Sequence, residues 1–218
     1  MIDRYEWLGR LAKKIPEDAL VMSTMIGAVC YEWAALTEEN PRNCILSLMG
    51  FGIGLATGIA LALPHRKVVC IDGDGSVLLE LGQLVLLGQE RPKNLVIFIV
   101  DNAAYESIGT TKGARPRPTA TASSADLAAI ALGSGVPYAK NVKTMDEFER
   151  ELNLAFSEME CRFINVRTKT GPSNVPPRQF DGFEDKYRFV RHVEQLEGKR
   201  FMTRQLQDLE LMKGQKRD

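Results

Sequence analysis

An apolar run, Val68 to Ile71, gives way abruptly to Asp72-Gly73-Asp74-Gly75-Ser76. In an open parallel sheet, ligands bind beyond the carboxyl ends of the strands. At such an end Gly73 and Gly75 let the backbone turn tightly and approach a ligand, and Ser76 with the start of the next helix offers donors suited to a phosphate. Asp74 is out of place in a phosphate cradle unless a divalent cation lies between the two negative groups. Mg²⁺ is held in this manner, by one or two protein oxygens together with phosphate oxygens. The pattern demands a second oxygen from another strand end, and Leu95 to Val100 runs directly into Asp101-Asn102. A neutral Asn102 amide oxygen beside Asp74 leaves the cation positive enough to hold a diphosphate. Either segment alone is an ordinary turn; the two together, on neighbouring strands, point to metal-diphosphate chemistry.

The elements that must position these residues alternate between short β-branched runs and longer helical ones, the pattern of a mainly parallel sheet in a three-layer α/β/α fold. Strands are expected at Ala19–Ser23, Cys44–Leu48, Lys67–Ile71, Leu95–Val100 and Arg162–Val166, with a weaker one at Tyr138–Val142. Helices fit Arg4–Lys14, Ala28–Leu36, Ile53–Leu63, Leu79–Gln89, Ala125–Leu132, Asp146–Phe156 and Lys186 onward. Ser124 and Thr144 are suited to cap two of them. Residues 107–124 are polar, with Gly and Pro and no periodicity, and read as one long loop after a central strand, where function often resides. Arg115 and Arg117 within it suit a solvated loop better than an anion reader.

Composition narrows the classes. The 28 Lys+Arg balance 28 Asp+Glu over 218 residues, so no basic block is present to bind nucleic acid or an anionic membrane. Ile45 to Leu63 is 19 residues without a charge, long enough to test as a membrane span. Its glycines at 50, 52, 54 and 58 and the strand that follows fit a buried strand, glycine turn and buried helix instead. Gly50-x-Gly52-x-Gly54 is not a dinucleotide fingerprint, because Leu55 stands at the last glycine position. Cys30, Cys44, Cys70 and Cys161 are widely spaced and read as small buried hydrophobes of a reducing compartment. The charged N-terminus is no secretory signal, and the expected location is the cytoplasm. His65 and His192 have no partner at metal-ligand spacing.

Gly73-Asp74-Gly75-Ser76, a spacer, and Asn102 resemble the fingerprint of thiamine-diphosphate-dependent enzymes, and Leu48-Met49-Gly50-Phe-Gly resembles the Met-Gly segment that precedes it there. The likeness spans roughly Ala19 to Val166, nearly a whole diphosphate-binding (PP) domain. It implies thiamine diphosphate and Mg²⁺ as cofactors, with Asp74, the Asn102 side chain and the Ala104 carbonyl as metal ligands. Gly73, Gly75, Ser76 and the Tyr105 region would meet the diphosphate. Met49 would prop the bent cofactor, and the Ser47 carbonyl would accept its aminopyrimidine amine. Asp101-Asn-Ala-Ala-Tyr-Glu-Ser and the segment from Asp181 resemble more closely the beta (thiamine-binding) subunits of sulfopyruvate and phosphonopyruvate decarboxylases. Ala103 replaces a glycine of that pattern, a harmless change if the backbone there needs no positive φ. Ile108 stands where pyruvate decarboxylases carry a carboxylate.

The resemblance also implies a second, Pyr domain, whose glutamate activates the cofactor. Residues 1–198 are expected to form the PP domain with its flanking helices, and 199–218 a charged helical or frayed tail, leaving no room for the other domain. The activating Glu is therefore expected from a separate Pyr-domain (alpha) subunit in a hetero-oligomer that decarboxylates a small 2-oxo acid, with no catalytic residue in this chain. A carboligase of the acetolactate-synthase type and a non-catalytic scaffold subunit are the alternatives.

Overall fold

The computed structural model describes residues 1–37, 40–46, 48–107 and 116–201. Helix α1 (Arg4–Lys14) opens the chain and leads to β1 (Leu20–Ser23), α2 (Ala28–Thr37), β2 (Asn43–Ile45), α3 (Gly52–Ala62) and β3 (Val68–Gly73). Two helices follow, α4 (Asp74–Leu79) and α5 (Gly82–Glu90), then β4 (Leu95–Asp101), the short strands β5 (Ala104–Tyr105) and β6 (Arg117–Pro118), and α6 (Leu127–Gly133). The chain continues through β7 (Tyr138–Val142), α7 (Met145–Ser157), β8 (Arg162–Arg167) and α8 (Gly182–Glu197). Among the described residues no helix is long and apolar enough to cross a membrane.

Six strands pair in the order β2-β1-β3-β4-β8-β7, every pairing parallel. Alternate side chains of the central strands serve opposite faces, so the fold is the expected three-layer α/β/α sandwich. On one face Val69, Ile71, Val96, Phe98 and Ile164 meet Trp7 and Leu11 of α1, Trp33 of α2 and Phe148 of α7. On the other Cys70, Ile97, Ile99 and Phe163 meet Ile53 of α3, Leu84 of α5, Leu127 of α6 and Phe189 of α8. All four cysteines are buried and none is in a disulfide.

Several boundaries differ from the sequence expectation for identifiable reasons. The helix expected over Leu79–Gln89 is two helices, separated at Glu80 and Leu81, and the first begins at Asp74 itself. Strand β3 runs on to Gly73, because Asp72 and Gly73 still pair with Ile99 and Val100. Strand β2 runs only over Asn43–Ile45, three residues short of the expected end. Ser124 does not cap α6; the Asp126 side chain does, accepting from the Ala129 N–H at 2.9 Å. Thr144 caps α7 in a reciprocal capping box with Glu147. The stretch after Tyr105 is not one uniform loop either, since β6 pairs antiparallel with β5 and a short 3-10 turn follows at Ala120–Ala122.

A buried ion cluster ties the first helix to the far end of the chain. Arg4 Nε donates to Glu32 at 2.7 Å and Nη1 to Glu106 at 2.9 Å. The remaining oxygens of the two glutamates accept the backbone N–H groups of Asn174 and Gly171, so the Pro-rich segment after β8 is strapped across the carboxyl ends of the strands. Glu32 is fully buried. Arg4→Ala is expected to cost about 3–5 kcal/mol, because it strands the fully buried Glu32 carboxylate and unpairs the part-buried Glu106, and urea denaturation reads that loss directly.

Candidate functional site

The connections from β1 and β3 leave in opposite directions, towards β2 and β4 respectively. That reversal opens a crevice at the carboxyl ends of β1 and β3, the place where open α/β sheets bind ligands. An open cleft lies there, with a cavity of about 60 Å³ at its base. Of the nine residues expected at the site, Met49, Gly73, Asp74, Gly75, Ser76, Asn102, Ala104 and Tyr105 all line it. Ser47, the ninth, lies outside the described residues, as do Ile108, Arg115 and the tail beyond Phe201.

Each wall follows from local sequence. The Met49-Gly50 turn needs Gly50 at φ 84°, and the Gly50 N–H donates to Ser76 Oγ at 2.8 Å, which ties that turn to α4. Ser76 is thus occupied in part as a brace between two walls. A Cβ on Gly75 would lie 2.4 Å from the Tyr105 ring, so only glycine lets the ring close over the start of α4. Asn102 Oδ1 accepts the Ala104 N–H at 3.0 Å, a turn that leaves one of its two lone pairs free. The Asn102 carbonyl is held in turn by the Thr170 hydroxyl at 2.8 Å.

The electrostatics centre on Asp74, only 2% exposed. Burial pushes its carboxyl up to about 6, opposed by hydrogen bonds from Thr119 and Thr121 and reinforced by the nearby Asp101. Asp72 is likewise raised to about 6 by its burial. Asp101 is the contrasting case. Arg167 Nη1 reaches its two oxygens at 2.8 and 2.9 Å, and Asn165 Nδ2 donates at 2.9 Å. Asp101 therefore anchors structure, while Asp74 has no ion pair among the described residues. No group of three His, Cys, Asp or Glu side chains is placed to cage a metal among those residues either. One carboxylate, one amide oxygen and one carbonyl, with space beside them for phosphate oxygens, is the donor set a partly solvated Mg²⁺ takes.

The structure adds residues that the sequence did not single out. Thr119 and Thr121, expected only as part of a polar loop, reach Asp74, and Glu106 lines the same cavity. A Thr-x-Thr pair just after a Pro-rich return to a strand end was the visible signal, but nothing local says which carboxylate it meets. At Ala103 the condition for a harmless change is not met: its φ is 59°, so this position takes the left-handed conformation that glycine adopts freely.

A switch-point crevice lined by glycine turns, with a carboxylate and an amide oxygen at neighbouring strand ends, is the kind of place where open α/β proteins bind phosphorylated cofactors. The chain belongs to the thiamine pyrophosphate enzymes, matching the model of their C-terminal TPP binding domain over residues 23–166. Among curated proteins it is similar to the sulfopyruvate decarboxylase subunit beta of Methanocaldococcus jannaschii, 30% identical over 195 residues covering 87% of this chain and 96% of that one. The corresponding subunit of Methanococcus maripaludis is 29% identical, over 88% of this chain and 98% of its own length. Phosphonopyruvate decarboxylase of Streptomyces viridochromogenes is 34% identical over 164 residues, 75% of this chain but 39% of that longer protein.

Ala103→Gly is expected to raise stability by up to about 1 kcal/mol, the ~1–2 kcal/mol cost of a left-handed alanine less the extra entropy glycine loses on folding, and Ala103→Val to lower it. The thermal midpoints of the two variants against wild type check the sign.

Proposed function

We propose that this chain is the thiamine-diphosphate- and Mg²⁺-binding subunit of a two-component 2-oxo acid decarboxylase whose substrate carries an anionic tail. The observation that carries this is the buried Asp74 carboxylate, unpaired by any described cation, at a switch-point cavity it shares with Asn102 and Ala104. Asp74, the Asn102 side chain and the Ala104 carbonyl would hold the Mg²⁺. Gly73, Gly75, Ser76 and Tyr105 would border the diphosphate. Met49, which also lines the cavity, would bear on the ring system. When bound, the cofactor supplies an electron sink for the carbanion left by loss of CO₂. The tail of the acid follows from the relatives, named for sulfonate and phosphonate analogues of pyruvate.

Glu106 is the one glutamate lining the cavity among the described residues, and both of its oxygens are engaged, by Arg4 at 2.9 Å and by the Gly171 N–H at 2.8 Å. A pinned carboxylate of this kind cannot swing to a cofactor ring, which supports an activating glutamate supplied by a Pyr-domain partner subunit. Ile26 at the cavity and Leu48, Phe51 and Leu79 beside the Met49-Gly50 turn are exposed, an apolar rim suited to a protein surface.

Calorimetric titration of thiamine diphosphate, with and without MgCl₂, tests the cofactor assignment. Wild type is expected to give Mg²⁺-dependent heat that Asp74→Asn lacks; equal heats would remove the metal assignment. Co-expression with a Pyr-domain chain, followed by a screen of sulfonate, phosphonate and carboxylate 2-oxo acids, tests the activity. CO₂ release is expected only from the complex, and turnover by this chain alone at the same rate would overturn the two-component assignment.

A further inference from the structure

Asp74 is oriented by two hydroxyls rather than by a cation. Its Oδ2 accepts from Thr119 Oγ1 at 2.6 Å and from Thr121 Oγ1 at 3.0 Å. The two hydroxyl oxygens lie 2.9 Å apart, and Thr121 Oγ1 is also 2.8 Å from Asp101 Oδ1. A hydroxyl has one proton to give, so Thr121 serves either Asp74 or Asp101 but not both. Asp101 is already satisfied by Arg167 and Asn165, which frees the Thr121 proton for Asp74. Both threonine bonds then fall on one carboxylate oxygen, and Oδ1 is the oxygen they leave over.

We infer that Thr119 and Thr121 are positioning residues for the metal: they fix the Asp74 carboxylate in orientation without cancelling its charge. The inference rests on the proposed function above. A lysine or arginine in their place would neutralise the carboxylate and compete with a divalent cation, whereas hydroxyls hold it and leave the full charge to the ion. The same pair couples the two loops that carry the ligands. Thr119 N–H donates to the Ala103 carbonyl at 3.1 Å, β6 pairs with β5 beside Asn102, and Arg167 Nη2 donates to the Thr121 carbonyl at 3.0 Å. Residues 117–121 therefore set the distance between Asp74 on one strand end and Asn102 with Ala104 on the next. Groups that orient metal ligands from behind in this way are worth about 10- to 100-fold in metal affinity.

The test separates the hydroxyl from the methyl. Thr119→Val and Thr121→Val keep shape and lose the donor; Thr119→Ser and Thr121→Ser keep the donor and lose the methyl. MgCl₂ is titrated by calorimetry into each full-length variant at a fixed concentration of thiamine diphosphate, and the thermal midpoint of each is recorded without ligand. The valine variants are expected to need about 10- to 100-fold more Mg²⁺ for half-saturation, with the serine variants close to wild type. A role in packing alone gives the opposite order, and that order, or valine variants that saturate like wild type, would overturn the inference. The positions are tested separately, so a variant that does not fold at one leaves the other to decide. Should wild type itself show no Mg²⁺-dependent binding and match Asp74→Asn, the cofactor assignment fails; a silent Asp74→Asn beside unaffected valine variants fails only the positioning role.

Discussion

Burying a carboxylate with no cation beside it is costly, and much of the site's construction follows from how Asp74 is accommodated. An isolated buried charge either finds a partner or surrenders its charge. Asp74 comes part of the way towards the second outcome, its carboxyl held up near 6 by burial, and two hydroxyls keep it from going further. Those hydroxyls arrive from residues 45 and 47 positions later in the chain, which requires the segment after β4 to turn, pair as β5 with β6 and come back across the strand end. The left-handed Ala103 is part of that turn, a local strain retained because the surrounding hydrogen bonds over-determine it.

Three other acidic side chains near the site show the alternative. Asp101 is answered by Arg167, and Glu32 and Glu106 share Arg4. All three join elements that would otherwise be free to separate: β4 with β8, α1 with α2, and both with the strap at 171–174. Pairing turns a buried carboxylate into a fastener, whereas the proposed role of Asp74 as a metal ligand requires it to be left without a cation. The sheet order determines where Asp74 falls, at the reversal between β1 and β3, where open α/β sheets leave a crevice.

How much of this was legible in the sequence follows the range of the interactions. Strand β4 and helix α7 were readable because their signals are local: a continuous apolar run in one, a Thr-x-x-Glu capping box in the other. The placement of Asp74 and Asn102 at neighbouring strand ends was readable too, because a parallel sheet with helical crossovers brings the carboxyl ends of its strands to one edge. The break between α4 and α5 was not, since Leu79, Leu81 and the apolar residues of α5 keep an unbroken hydrophobic pattern across it. Asp126 in place of Ser124 as a cap turns on a shift of two residues that composition does not resolve. Thr119 and Thr121 sit in a run of Thr, Ala and Ser whose local properties are those of any loop, and their importance lies wholly in a carboxylate far away in sequence.

Glu106 follows the same logic with the opposite consequence. It follows Tyr105, lines the cavity, and by position alone is a candidate proton carrier. The geometry assigns it elsewhere: one oxygen is committed to a guanidinium that is itself buried, the other to a backbone N–H of the strap. Releasing it would leave Arg4 with Glu32 alone in a dry environment and detach the strap from the carboxyl edge, a loss far larger than any gain from one new hydrogen bond to a ligand. A carboxylate can serve as a fastener or as a mobile acid, but not both in one conformation. Since Glu106 is locked, the cavity offers no free glutamate among the described residues, which is what the proposed supply of the activating glutamate by a partner subunit requires.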